Sequence, residues 1–261
     1  VRKVEPKVYL IAETAINQEE LDKYLRHVGA FDWHTDAGSD SEMLVEFMGR
    51  LCYRSWKPGL NANVKKVREG NYDYLANIIK SQHGSCLEHA SVSFVFADVS
   101  RVFTHELCRH RAGVAISQES LRFVRLDDIG FWAPTIIRED EHAMTIFSKT
   151  VEELERLQKE LAQYFKLDDE GVSFTRKKTV TSAMRRIAPD GLATTIGWTA
   201  NFRTLRHVIE MRTSRHAEEE IRLVFGAVAR RCRERFPNFF GDMKSESIDG
   251  YEEFSFETRK V

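Results

Sequence analysis

Residues 90–97 read Ala-Ser-Val-Ser-Phe-Val-Phe-Ala, and this octet limits the fold more than any other segment. Val92, Phe94 and Phe96 alternate with Ser91, Ser93 and Val95. A two-residue period puts the large apolar side chains on one face of an extended strand, which then belongs to a sheet with that face buried. Ser100 follows and can cap a helix running to about Arg111. Val8 to Ala12 reads as a second, short strand. Asn17 with Glu20 resembles a capping box and opens a helix to about Val28. Phe31 to Asp40 is a polar loop, and a further loop holds Pro58 and Gly59. Helices are expected near 41–51, 71–82, 143–165, 173–187 and 202–235, the last stopped by Pro237. The stretch 123–141, with Gly130 and Pro134, is irregular. Strands and helices mix without regular alternation, which points to an α+β fold.

Composition limits the partners. A chain of 261 residues, 42% hydrophobic and 30% charged, can bury a substantial core. Its formal net charge of −1 offers no global attraction to nucleic acid or to a membrane, so any anionic ligand must be met by a local cluster of Arg. No apolar run reaches the ~18 residues of a membrane span. No basic stretch followed by an apolar run stands at the start, so no signal peptide is read. Cys52, Cys86, Cys108 and Cys232 lie far apart without a CxxC pair, as free thiols in a reducing, cytoplasmic compartment would.

Charge falls where apolar residues are due. On the helix expected over 202–235, Leu205, Val208, Ile209, Leu223 and Ala227 share one stripe, and Arg212 and His216 interrupt it. Burying an unpaired charge there costs several kcal/mol, on the order of 2–7 even for a neutral polar group. Either an ion pair or subunit salt bridge, or a pocket for an anionic ligand, accounts for it. The helix ending at Arg111 behaves likewise: Val99, Val102 and Phe103 set its face, Glu106 and His110 continue it, and Arg109, His110 and Arg111 stand in a row.

Several chemistries fit poorly. His83, Cys86 and His89 lack a fourth ligand, and His105 and His110 point ~140° apart around a helix, so no metal is expected. No GxSxG elbow occurs, and Ser117 and Ser120 have no base beside them. Cys108 is offset from the His110 face, which favours packing over catalysis. No GxGxxG loop is present. Arg101, Arg109, Arg111, Arg122 and Arg125 with Phe123 would suit a nucleic-acid groove, but acidic and small residues interrupt them.

Thr104-His-Glu-Leu-Cys-Arg-His-Arg111, followed by Ile116-Ser-Gln-Glu-Ser-Leu-Arg-Phe-Val124, resembles the signature of the flavin-dependent thymidylate synthases: Arg-His-Arg, seven residues, Ser, then x-Arg-Tyr. Gly49-Arg-Leu-Cys-Tyr53, His83-Gly-Ser-Cys-Leu-Glu-His89, Arg185-Arg-Ile-Ala-Pro189, Asn201-Phe-Arg-Thr-Leu-Arg-His207 and Met211-Arg-Thr-Ser-Arg-His216 resemble further family segments in the right order. The resemblance spans roughly residues 45–235. It implies a single domain over 1–261, with a central mixed or antiparallel sheet and long flanking helices. It also implies a homotetramer with FAD-bound active sites at subunit interfaces.

Carried over residue by residue, the resemblance makes His83, Ser85, Glu88, Arg109, His110, Arg111, Asn201, Arg203, His207 and His216 flavin contacts. Glu106, Arg109, Glu119, Ser120, Leu121, Arg122, Arg185 and Arg212 become nucleotide contacts. Arg212 would stabilise charge on the uracil ring and Ser120 would orient the nucleotide. The implied reaction is methylation of carbon 5 of dUMP to give dTMP, with methylenetetrahydrofolate as one-carbon donor and NADPH as reductant; UMP is the alternative substrate. Two departures stand beside the nucleotide residues. Eight residues separate Arg111 from Ser120, with the extra one in Ala112–Ile116, and Phe123 replaces the Tyr.

Overall fold

A computed structural model describes residues 1–259 of the chain. The elements run β1 (Arg2–Lys3), β2 (Lys7–Glu13), α1 (Gln18–His27), α2 (Asp40–Leu51) and α3 (Asn71–Lys80). A 3-10 turn at Gly84–Glu88 leads to β3 (Ser91–Ser100) and α4 (Arg101–Leu107). Then come β4 (Val114–Gln118), β5 (Gly130–Phe131), α5 (Thr135–Arg138), α6 (Glu141–Tyr164) and α7 (Phe174–Met184). β6 (Ala193–Asn201) runs directly into α8 (Phe202–Thr213), and α9 (Glu219–Arg235) precedes a hairpin of β7 (Met243–Ile248) and β8 (Tyr251–Phe256).

Four strands form one sheet in the order β2-β3-β6-β4. Its ladders are antiparallel. Thr14 bonds Ser91 while Lys7 reaches Asp98; Ala90 bonds Phe202 while Leu192 bonds Arg101; Gly113 bonds Asn201 while Thr195 bonds Glu119. Residue numbers therefore fall on one strand as they rise on its neighbour. The α+β reading holds. On β3 the alternation works as the sequence predicts: Val92, Phe94 and Phe96 are buried. β6 repeats the pattern with Thr194, Ile196, Trp198 and Ala200. Each of these strands ends in a residue that caps the next helix. Ser100 Oγ accepts from Phe103 N at 3.1 Å and Asn201 Oδ1 accepts from Thr204 N at 2.8 Å.

Two expected helices are shorter than their sequences suggest. α4 stops at Leu107, and Cys108 to His110 close it as turns. The helix expected over 202–235 is two helices. Ser214 turns extended at ψ 142°, and the Glu218 side chain caps α9 by accepting from Glu220 N and Ile221 N. The five-residue break resets the helical phase, so the proposed stripe does not survive it. Leu205, Val208 and Ile209 are buried, but His216 is exposed in the turn and Leu223 is 37% exposed. α9 buries Ile221, Val224, Phe225, Val228 and Cys232 instead.

The chain divides into two compact units. The first holds Val1–Tyr9, Val95–His110 and Ile116–Trp198, and the second holds the rest. In the first, Leu121, Ile129, Phe131, Val151 and Leu192 form the core, with Phe147 packed against it. In the second, Leu21, Leu25, Phe47 and Trp56 pack together. The rings of Phe202, Phe236 and Phe239 form another cluster there, with Phe202 and Phe239 centred 4.3 Å apart. Arg206 ties the hairpin to α8: it is bidentate to Asp242 at 2.7 and 2.8 Å, donates to Phe239 O at 2.6 Å, and lies 4.1 Å from the centre of the Phe256 ring.

Candidate active site

In the first unit, α4 carries Glu106, and Arg109 and His110 follow its end. Ser120 opens a tight turn. Its Oγ accepts from Arg122 N at 3.3 Å, and its carbonyl accepts from Phe123 N and Val124 N. Glu119 is committed to the strand end: its N–H donates to Thr195 O at 2.9 Å and its carboxylate accepts from Thr195 N at 3.0 Å. Leu121 and Arg185 line one cavity of about 150 Å³, with Arg125, Gln158, Lys159 and Asp168.

Arg125 stood out in the sequence only as part of a possible nucleic-acid groove, and Gln158, Lys159 and Asp168 carried no sequence signal. Gln158 is buried and donates to Met184 O at 3.1 Å, which fixes one wall. The hydrogen bond from Arg125, 2.8 Å long, holds the Asp168 carboxyl below its ordinary range. The bond between Lys159 and Glu155 pushes the Lys159 ammonium upward. Arg125 and Lys159 thus already have carboxylate partners. Arg109, Arg122 and Arg185 are exposed and make no ion pair among the described residues. Exposed guanidinium groups without internal partners can receive an anion, and their fork geometry suits phosphate.

In the second unit, His83 precedes the 3-10 turn, and Ser85 and Glu88 are exposed on it. Glu88 pairs with Arg203 in the first turn of α8 at 2.5 Å. Arg111 is exposed and, among the described residues, makes no ion pair. The backbone behind it is fixed by Gly113. That residue sits at φ +68°, its carbonyl accepts from Asn201 N at 3.0 Å, and Thr204 Oγ1 donates to Ala112 O at 2.9 Å. A Cβ on Gly113 would lie 2.4 Å from Asn201 Nδ2, so only glycine fits. Its place two residues after the Arg-His-Arg run was the available sequence signal. Because Gly113 faces Asn201 and Glu119 faces Thr195, β4 carries no bulge.

His207, Arg212 and His216 line one cavity of about 520 Å³, together with Glu210, Glu253 and Arg259. Its two carboxylates are occupied: Glu210 lies 2.9 Å from Arg259, and Glu253 lies 3.2 Å from Arg215. Arg212 is 8% exposed on α8. It belongs to the second unit, whereas the other residues expected to contact the nucleotide belong to the first; Arg109 and His110 also belong to the first, unlike the other residues expected to contact the flavin.

All four cysteines are free, with Cys52 and Cys108 exposed and Cys86 and Cys232 buried. Among the described residues, no group of three or more His, Cys, Asp or Glu side chains could hold a metal ion, and no helix is long and apolar enough to cross a membrane.

Residues 34–238 match the family described as thymidylate synthase complementing protein. A flavin-dependent thymidylate synthase of Mycolicibacterium gilvum (strain PYR-GCK) is 38% identical over 225 residues, covering 85% of this chain and 87% of that one. A protein of the same description from Corynebacterium efficiens is 36% identical over 219 residues, covering 83% and 84%. Among solved structures, the UMP/dUMP methylase PolB from Streptomyces cacaoi bound with 5-Br UMP superposes with a TM-score of 0.61 over 92% of this chain and 95% of that one. At 16% identity this is a likeness of fold. The long family match and these relatives establish that the chain belongs to the flavin-dependent thymidylate synthases.

Proposed function

We propose that this enzyme methylates carbon 5 of dUMP to give dTMP, with FAD as its flavin, methylenetetrahydrofolate as one-carbon donor and NADPH as reductant. The observation that carries the reading is the set of four family-motif arginines, Arg109, Arg111, Arg122 and Arg185, exposed and without ion pairs among the described residues. The chemistry of the donors fits a flavin dinucleotide: Arg109 and Arg111 offer cations for a pyrophosphate, and His83, Ser85, Asn201, His207 and His216 offer polar groups for the rest. Arg203 has its charge balanced by Glu88, which assigns it to orientation more than to charge.

When bound, the flavin supplies the carbon relay and the reducing equivalents. The protein's own residues bind and polarise. Arg122 and Arg185 meet the nucleotide phosphate, and Glu106, Glu119 and Leu121 complete its surroundings. Ser120, held in its turn, orients the nucleotide. Arg212 stabilises negative charge developing on the uracil ring, a role in which one donor is typically worth ~10²–10³ in rate. No protein thiol attacks the ring. The working form is a homotetramer acting in the cytoplasm, with the whole chain serving as one catalytic domain. UMP is the alternative substrate, and the description of the relatives gives it no preference. Turnover measured with dUMP and UMP side by side, beside the flavin absorbance of the purified protein, tests the reading. Absence of flavin, or faster turnover of UMP, would replace it.

A further inference from the structure

We infer that Glu253 is a positioning residue for the cavity that holds Arg212 and His216, and that it acts through Arg215. This rests on the reading that the cavity takes the flavin and its nucleotide partner.

The turn 214–218 carries His216 and begins where α8, with Arg212 in its last turn, stops. It contains no Gly and no Pro, so no residue in it presets the backbone. Within the turn, Ala217 N donates to Ser214 O at 2.9 Å, and His216 N reaches Ser214 Oγ at 3.4 Å. The firm outside acceptor is Glu253 on β8. One carboxylate oxygen accepts from Arg215 N at 2.9 Å and from Arg215 Nε at 3.2 Å. A carboxylate bonded to a backbone N–H makes a charge-assisted bond, stronger than a neutral one. The neighbouring residue of β8 completes the attachment. Phe254 N donates to Thr213 Oγ1 at 2.9 Å, and that hydroxyl donates to Ile209 O at 2.8 Å. Thr213 is fully buried. Three successive elements, the helix end, Arg215 and the strand, are therefore joined at the cavity wall.

A surface ion pair alone contributes little to stability. Glu253 does more because it fixes main chain one residue from His216 and itself lines the cavity. The hairpin lies beyond residue 238, where the family match ends.

The test compares Glu253→Ala, Glu253→Gln, Arg215→Ala and the Ala/Ala double variant in the full chain. Flavin affinity is read by absorbance titration, with KM for dUMP and the thermal midpoint alongside. Glu252→Ala, which breaks the Arg230 pair on the same strand, is the control. Glu253→Ala should weaken flavin binding about tenfold, the scale of one lost charged hydrogen bond. Glu253→Gln, which keeps an acceptor for Arg215 N, should recover part of the loss. Arg215→Ala should weaken binding too, and the double variant should be no worse than Glu253→Ala, because both act through one contact. The control should bind as wild type. Wild-type affinity in Glu253→Ala, additive losses in the double variant, or an equal loss in the control would each overturn the inference. A wild-type protein that binds no flavin would instead remove the reading of the site, and the inference with it.

Discussion

Arg206 and Arg212 stand on the same helix and are 2% and 8% exposed, yet their surroundings differ. At the start of α8, Arg206 is enclosed by its own chain. Asp242 takes two of its bonds, Phe239 O takes a third, and the Phe256 ring lies against it. At the end of α8, Arg212 opens onto a cavity of about 520 Å³ shared with His207 and His216. The desolvation cost of a guanidinium is similar in the two places. What differs is the space left beside it. The first is part of the frame, and the second faces room for a ligand.

The largest effect is expected at the frame. Arg206→Ala would leave Asp242 without its bidentate partner, and breaking a buried pair costs about 3–5 kcal/mol. Urea unfolding should show this as a lower midpoint, with loss of activity following loss of fold. Arg212→Ala should instead lose ~10²–10³ in turnover while melting and flavin content stay near wild type. Arg212→Lys should recover little of it, since an ammonium lacks the planar fork. If Arg212→Ala unfolds as Arg206→Ala does, the contrast between the two ends disappears.

Gly113→Ala sharpens the same comparison from outside the helix. It forces a Cβ against Asn201, the cap of α8, at a positive φ. A cost of about 1–3 kcal/mol in stability is expected, with weaker flavin binding because Arg111 is only two residues away. The smallest effect is at Cys108. Cys108→Ala should leave turnover within about tenfold, a barrier change of about 1.4 kcal/mol. In thiol labelling of the native protein, Cys52 and Cys108 should react first. Cys232 should react last, because burial pushes its thiol well above the ordinary range.

Local patterns were the legible part. The alternation of β3, the caps at Asn17 and Ser100, and the ordered Arg motifs are each contained in a few consecutive residues. β6 carries an equally good alternation, Thr194, Ile196, Trp198 and Ala200, which went unread because Thr and Gly dilute it. β4 had little to show: Ala115 to Ser117 are all exposed. The break at 214–218 has no Gly or Pro to announce it; Glu218 as a cap was the one local cue. Arg212 and His216 share one apolar face only on an unbroken helix, and the turn between α8 and α9 separates them. In the candidate site, Gln158, Asp168 and Glu253 were out of reach, since each is placed by contacts distant in sequence.

The hairpin that anchors the turn also presents a hazard. β7 pairs only with β8 among the described residues, so its other side is an open row of backbone donors and acceptors. Such an edge is a template for joining other chains into aggregates. The sequence Met-Lys-Ser-Glu-Ser-Ile blunts it: Lys244 and Glu246 are exposed, and every residue from 244 to 247 is polar. The Asp249-Gly250 turn, both residues at positive φ, closes the hairpin tightly and keeps the edge short. Replacing Lys244 and Glu246 with valine would leave the cavity residues in place while making the protein prone to self-association on concentration or mild heating. Solubility, as much as catalysis, therefore constrains the strand next to Glu253.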